Sequence, residues 1–245
     1  MSENGRFERA ATVVAAMARE LSEGDVVATG VASPLAILAI EVAKRTHAPN
    51  LTWLACVGAI DPEVSELRPC SEDLEYLGGR SGQISIPDLF DHARRGRIDV
   101  MFFGAAEVDG EGRTNLTASG SLEKPRYKFP GVAGAATLRR WVHRPILVVP
   151  RQSRRNLVER VQVASTTDPD RSTRLLTNLG VFDLGLHGAK LVGRHAWADA
   201  GTIGEHTGFS FATDNPLSVT PTPEPEYVEA IRAIDSSSLS QQIVG

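Results

Sequence analysis

Two cysteines, Cys56 and Cys70, are all that the 245 residues contain, and they form no CxxC pair. No disulfide framework can be built on them, which favours a reducing compartment. Histidine is sparse as well: His47, His92, His143, His187, His195 and His206 show neither HExxH nor any other metal-ligand spacing, so no metal site is expected. A Gly-x-Ser-x-Gly nucleophile elbow, a GxGxxG fingerprint and a phosphate-binding loop with its lysine are all missing. Their absence argues against an α/β-hydrolase triad and gives no sign of a nucleotide site. No apolar run approaches membrane length, the longest being Pro34 to Ile40, and no membrane association is expected. Nor does positive charge accumulate. The net charge is −4 and the Arg151, Arg154, Arg155 cluster is short, which leaves no footprint for nucleic acid. The first residues lack the pattern of a secretory leader. These exclusions lead to the expectation of a soluble, cytoplasmic chain forming one domain over 1–245.

What the sequence does contain is alternation. Phe7 to Leu21 has apolar residues at helical spacing, and Val26 to Thr29 is a short buried strand. Gly30 to Ala32 makes a tight connection into a second helix, with Ser33 as its expected N-cap and Pro34 as its first residue. Leu51 to Val57 is the next strand, and Gly58 marks its exit. Helix Ile86 to Arg95, strand Val100 to Gly104, helix Ala135 to Arg140 and strand Ile146 to Val149 repeat the pattern, and strand-like runs follow at Val158 to Ala164 and Leu184 to Val192. From about residue 216 a proline-rich link leads into a terminal helix over Glu226 to Ile234, and the last ten or so residues are expected to be disordered. Strands joined by crossover helices predict an α/β fold with an open, mostly parallel sheet flanked by helices.

Three segments carry candidate chemistry. The loop Gly30-Val31-Ala32-Ser33-Pro34 runs from a strand to a helix N-terminus, where an anion is well received; a plain βα turn is the alternative. Gly104-Ala105-Ala106-Glu107 leads from a strand end into a turn ending at Gly112-Arg113-Thr114-Asn115, and small residues there admit a ligand close to the backbone; a long turn without a ligand is the alternative. Pro130 to Thr137, with Gly131 and Gly134, is either a nest of N–H donors for an oxyanion or a close packing contact. Cys56 has no identifiable base beside it in the sequence, and the residues alone read it as a buried structural thiol.

In order along nearly the whole chain, Thr46-His47-Ala48-Pro49-Asn50-Leu51-Thr52, Gly104 to Asp109, Asn115, Lys128-Phe129-Pro130-Gly131 and Thr207-Gly208-Phe209 resemble the β subunits of class I CoA-transferases of the glutaconate type. The resemblance implies the CoA-transferase fold, a larger α subunit in an obligate heteromer of α2β2 form, and a CoA-thioester site. It implies no permanently bound cofactor, CoA arriving as part of the substrate. In those transferases a glutamate carries the enzyme-bound CoA thioester; Cys56 stands at the matching position, followed by Val57 and Gly58. A shell without that glutamate is most similar to the β subunits of actinobacterial steroid ring-opening CoA hydrolases. That resemblance implies hydrolysis of a carbon–carbon bond in a steroid-derived cyclic dione CoA thioester, with the main base supplied by the α subunit. It also implies substrate contacts at Gly30, Ser33, Cys56, Gly104, Ala105, Gly131 and Gly134. Glu107 is the carboxylate of this chain best placed to reach the cleft, or else a turn residue capping a backbone N–H. The competing implications are a transferase with another nucleophile, acting on a dicarboxylic or oxo acid, and a non-catalytic binding subunit.

Overall fold

A computed structural model describes residues 2–168 and 171–245, and the chain divides into two compact units. The first runs to Phe102 and takes in Trp141–Arg144 and Pro221–Gly245; the second comprises Phe103–Arg140 and Pro145–Thr220. Both are of the α/β class that the alternation predicts. Parallel strand pairs and flanking helices form the framework, and antiparallel hairpins are added to it.

The first unit opens with helix α1 (Glu3–Ala18), strand β1 (Val26–Ala28), helix α2 (Pro34–Arg45) and strand β2 (Thr52–Ala55). Short strands β3 (Ala59–Ile60) and β4 (Gly82–Gln83), helix α3 (Ile86–Arg94) and strand β5 (Val100–Gly104) follow. Strand order is β5-β1-β2-β3-β4, with β1 parallel to both of its neighbours and the β2–β3 and β3–β4 pairs antiparallel. Val27, Ala28, Trp53 and Ala55 are fully or almost fully buried, as expected of a strand pair covered on both faces. Helix α3 begins at a capping box, Ser85 accepting from the Asp88 N–H while the Asp88 carboxylate accepts from Ser85. Pro34 stands at the first position of α2, as the sequence predicts, but the Ser33 side chain does not cap: its hydroxyl donates to the Val31 carbonyl.

The second unit contains two small hairpins, β6 (Glu107–Val108) with β7 (Thr114–Asn115) and β8 (Ala118–Gly120) with β9 (Pro125–Lys128). Helix α4 (Ala135–Trp141) and strands β10 (Arg144–Val149), β11 (Thr173–Thr177), β12 (Gly180–Leu184) and β13 (Ala189–Arg194) come next. Helix α5 (Ala200–Glu205) and strand β14 (Phe211–Val219) complete it. Its strand order is β14-β13-β12-β11-β10, a central antiparallel meander with parallel pairs on either side. Two expectations fail here. Val158 to Ala164 is not a strand: the N–H groups of Val158 and Val161 go instead to the Val108 carbonyl and the Asp109 carboxylate. The run Leu184 to Val192 is broken by a turn, where Gly188 adopts φ 99° and its N–H bonds to the Gly185 carbonyl.

Helices α6 (Pro225–Ile234) and α7 (Leu239–Val244) return to the first unit and pack on α1. The last residues are therefore helical rather than disordered. The Asp235 carboxylate accepts the Leu239 and Ser240 N–H groups at 2.7 and 3.0 Å, and Val244 is buried. Among the described residues no helix is long and apolar enough to cross a membrane.

Two features of the second unit yield tests. Gly208 donates its N–H to the Leu157 carbonyl at 2.7 Å, and an added Cβ would lie 2.5 Å from that same oxygen. Gly208→Ala is therefore expected to cost about 1–3 kcal/mol of unfolding free energy, measured by urea denaturation; an unchanged midpoint would refute the close approach. His195 is buried. Its Nε2 faces the Thr177 carbonyl at 2.9 Å and so carries the proton, and Nδ1 accepts from the Thr220 hydroxyl at 2.9 Å. Burial lowers its pKa below the usual 6.5, although the bond to Thr177 acts the other way. The unfolded state thus takes up the proton first, so this contribution is complete above about pH 6.5 and is lost as pH falls toward the depressed folded value. Between pH 7.5 and 5 the Tm of the natural protein should fall further than that of His195→Gln, and equal falls would exonerate His195.

Candidate functional site

The carboxyl ends of β1 and β2, where ligands of open α/β sheets usually bind, converge in the first unit on one structured corner. Strand β2 ends at Ala55, and Cys56-Val57-Gly58 turns the chain back into β3. Gly58 is required there: its φ is 105°, its N–H closes the turn on the Ala55 carbonyl, and an added Cβ would sit 3.3 Å from the Ile84 carbonyl. Beside this hairpin runs Thr29-Gly30-Val31-Ala32-Ser33. Val31 is 55% exposed, and Ala32 holds φ 54°, the left-handed region that an alanine seldom occupies.

Contacts around this corner close on themselves. The buried Trp53 indole N–H donates to Thr29 Oγ1 at 3.0 Å, and its ring meets Tyr76 edge-on with centroids 5.9 Å apart. Tyr76 lies in a 3-10 turn, Leu74–Leu77, capped by the Asp73 side chain, and its hydroxyl accepts the Arg68 N–H. That turn follows Ser71, which is wholly buried; Ser71 Oγ accepts the Ser33 N–H at 2.6 Å, and its carbonyl faces Cys56 Sγ at 3.7 Å. The Val31 and Ala32 N–H groups donate to no acceptor among the described residues.

Burial, reinforced by the nearby Glu72 carboxylate, pushes the Cys56 thiol up to about 12. Cys56 is therefore a neutral thiol at ordinary pH, with an S–H that points at a carbonyl. Among the described residues no carboxylate or imidazole is hydrogen-bonded to it.

The remaining candidates lie in the second unit. Gly104 is exposed, with open space where a side chain would be, and Ala105 is half-buried beyond it. Glu107 accepts from Asn115 Nδ2 at 2.8 Å, and that same nitrogen donates to the Ala118 carbonyl at 2.8 Å. Asn115 Oδ1 accepts the Thr117 and Ala118 N–H groups at 3.0 and 3.3 Å. Asn115 is wholly buried and satisfied, so it anchors Glu107 and the start of β8. Asp109 is likewise committed to fold, accepting N–H groups from Glu111, Arg113 and Val161 and pairing with Arg113. Gly131 adopts φ 97° and spends its N–H on the Leu116 carbonyl, so that donor is not part of an oxyanion nest; Gly134 precedes α4. Gly30, Ser33 and Cys56 thus share the corner in the first unit, and Gly104, Ala105, Glu107, Gly131 and Gly134 belong to the second. Thr29, Trp53, Ser71 and Tyr76 gave no functional signal in the sequence. No group of three or more His, Cys, Asp and Glu side chains suited to a metal occurs among the described residues.

Residues 10–194 match the family described as Coenzyme A transferase. The chain belongs to that family. Among its relatives, a subunit of the 3-oxoadipate CoA-transferase of Pseudomonas knackmussii is 24% identical over 238 residues, 90% of each chain. The cholesterol ring-cleaving hydrolase IpdB subunit of Rhodococcus jostii is 28% identical over 236 residues, 87% of this chain and 88% of the relative. A chain of the decarboxylase AibA/AibB superposes with TM-score 0.95 and 65% identity, covering 97% of this chain and 98% of that one. Structures of that decarboxylase with Cys56 replaced by Asn, Ala, Ser or Val match this chain with the same score and identity.

The double role of Asn115 is testable without knowing the reaction. Asn115→Asp places a second carboxylate where an amide donated to Glu107, and should cost at least about 2 kcal/mol at pH 7. Thermal unfolding of the two proteins side by side reads it, and an unshifted Tm would mean that Glu107 is held by other contacts.

Proposed function

We propose that this chain is the β subunit of a two-subunit enzyme that decarboxylates a CoA thioester. The observation that carries the reading is a half-buried cysteine, Cys56, directly after β2, where the transferases hold a glutamate, in a chain 65% identical to one from the decarboxylase AibA/AibB. A glutamate at this position, as in the transferases, would face a substrate carboxylate with like charge. At about 4 Å that repulsion is about 4 kcal/mol for an effective dielectric near 20. A thiol held near 12 removes it and leaves an apolar, weakly donating surface.

The substrate class follows from the electrons. Carbon–carbon cleavage leaves the bonding pair on carbon, so the departing carboxylate must be attached to the α-carbon of the thioester, or to its γ-carbon beyond a conjugated α,β double bond. The pair then moves into the carbonyl as an enolate while carbon dioxide leaves, and a proton is delivered to carbon afterwards. Partial desolvation beside Cys56 favours loss of the charged carboxylate, and the unspent N–H groups of Val31 and Ala32 are donors of the kind that stabilises an enolate oxygen. The 3-oxoadipate named for one relative is also a dicarboxylic acid handled as its CoA derivative. The partner is a larger α subunit, in line with the two-subunit names of the matched proteins; CoA enters with the substrate, and no resident cofactor is invoked.

Ring-opening hydrolysis of a steroid-derived cyclic dione CoA thioester is the second reading, favoured by the 28% identity to the IpdB subunit across most of the chain. It shares the enolate and needs water in addition. The test is mass spectrometry of the two-subunit complex with glutaconyl-CoA in deuterated water, and with the cyclic dione thioester in oxygen-18 water. Decarboxylation gives a product lighter by carbon dioxide with one deuteron on carbon. A dione product heavier by labelled water, with glutaconyl-CoA unchanged, would replace the first reading by the second. Protein-bound CoA, or acyl exchange with an acceptor acid, would return the chain to transferase chemistry.

A further inference from the structure

We infer that Ser71 is the positioning residue of the Cys56 corner: one buried residue whose two oxygens fix the Gly30–Ser33 loop and the Cys56 thiol together. Its hydroxyl oxygen takes the Ser33 N–H at 2.6 Å, and its carbonyl takes the Cys56 S–H at 3.7 Å. Ser71 has no exposed surface, so neither oxygen is offered a competing water. The residue is held in turn by the segment that follows it, where the Asp73 cap and the Tyr76 ring against Trp53 fix the 3-10 turn.

The bond to Ser33 bears on strain. Ala32 precedes Ser33 and is left-handed at φ 54°. A non-glycine residue stays in that region only where its surroundings over-determine it. Among the described residues the loop's other bonds are local: the Ser33 hydroxyl to the Val31 carbonyl, and the Ile37 N–H of α2 to the Ser33 carbonyl at 3.1 Å. Ser71 therefore ties the loop to a segment outside β1 and α2, and this tether keeps Ala32 left-handed and so directs the Val31 and Ala32 N–H groups. The same residue sets the thiol's direction, so the donors and the neutral wall keep one mutual geometry. Displacement of about 1 Å at such a point reduces turnover by about a hundredfold without necessarily altering binding.

This role rests on the Cys56 corner being the reacting site, but its primary test does not involve turnover. In the two-subunit complex carrying Cys70→Ser, Cys56 is the one thiol left in this chain, and its alkylation by iodoacetamide is read on the Cys56 peptide by mass spectrometry. Ser71→Ala should raise the Cys56 alkylation rate at least about tenfold at pH 8, as the corner opens locally. Adding Ala32→Gly, which makes the left-handed backbone costless, should return the rate toward that of the parent; Ala32→Gly by itself should leave it within about twofold. In the natural complex the Ser33 amide should be protected from hydrogen exchange while Val31 and Ala32 exchange freely, a measurement that does not depend on any variant folding. With a substrate that turns over, Ser71→Ala should lower kcat by about ten- to a hundredfold with KM changed less than threefold. An unprotected Ser33 amide, unchanged alkylation in Ser71→Ala, or failure of Ala32→Gly to restore it would overturn the assignment. Failure of decarboxylation alone, with these three results obtained, would overturn only the reaction.

Discussion

The first unit hangs on one hydrogen bond, from the buried indole of Trp53 to the hydroxyl of Thr29. An indole N–H taken out of water without a partner would cost on the order of 1–3 kcal/mol, so the ring's place in the core is conditional on that threonine. The ring has a second constraint in Tyr76, and the Trp53 backbone N–H has a third in the Asp61 carboxylate, which also pairs with Lys44. Residues just beyond these three carry the corner: Thr29 leads to Gly30, Trp53 to Cys56, and the Tyr76 turn back to Ser71. A large aromatic residue is suited to such a task because it can be packed and bonded at once. It joins segments that have no sequence relation to one another.

How much of this was legible follows the range of the signal. Val26 to Thr29, Pro34 and Val100 to Gly104 announce themselves through local apolar runs and proline, and the structure places strands and a helix start there. Ser33 reads as an N-cap because serine is favoured there and Pro34 suits the first helical position; its hydroxyl turns instead to the Val31 carbonyl, and its amide goes to Ser71, a distant partner that no local pattern reveals. Val158 to Ala164 has strand composition but no ladder partner, and Asp109 captures one of its amides. The final helix is not legible because a serine-rich tail resembles a disordered one, and its first N–H groups are taken by Asp235, the residue that ends the helix before. Gly131 was legible as a special backbone position, but where its N–H goes was not.

A framework and the single side chains set on it answer for different things, since one fold can carry many functions. Cys56 illustrates the point in physical terms. The turn Cys56-Val57-Gly58 has a backbone fixed by Gly58 and β3, so the side chain at 56 can change from charged to neutral without moving the main chain. Burial and a neighbouring carboxylate then keep the thiol from regaining a charge. Neutrality here is a property of the surroundings as much as of sulfur.

Arg19, at the end of α1, donates to the carbonyls of Pro221 and Thr222 and pairs with Glu224, across more than 200 positions of chain. Helix α1 meets α6 and α7 only at that separation. Its buried stretch, from Ala10 to Ala18, is covered partly by α2, which follows soon after, and partly by α6 and α7, which are made only after the whole second unit. Loop closure over such a span is slow, and apolar surface exposed meanwhile is what chaperones recognise and aggregates grow from. The cover of α1 is therefore completed late, by helices that no local contact can bring to it.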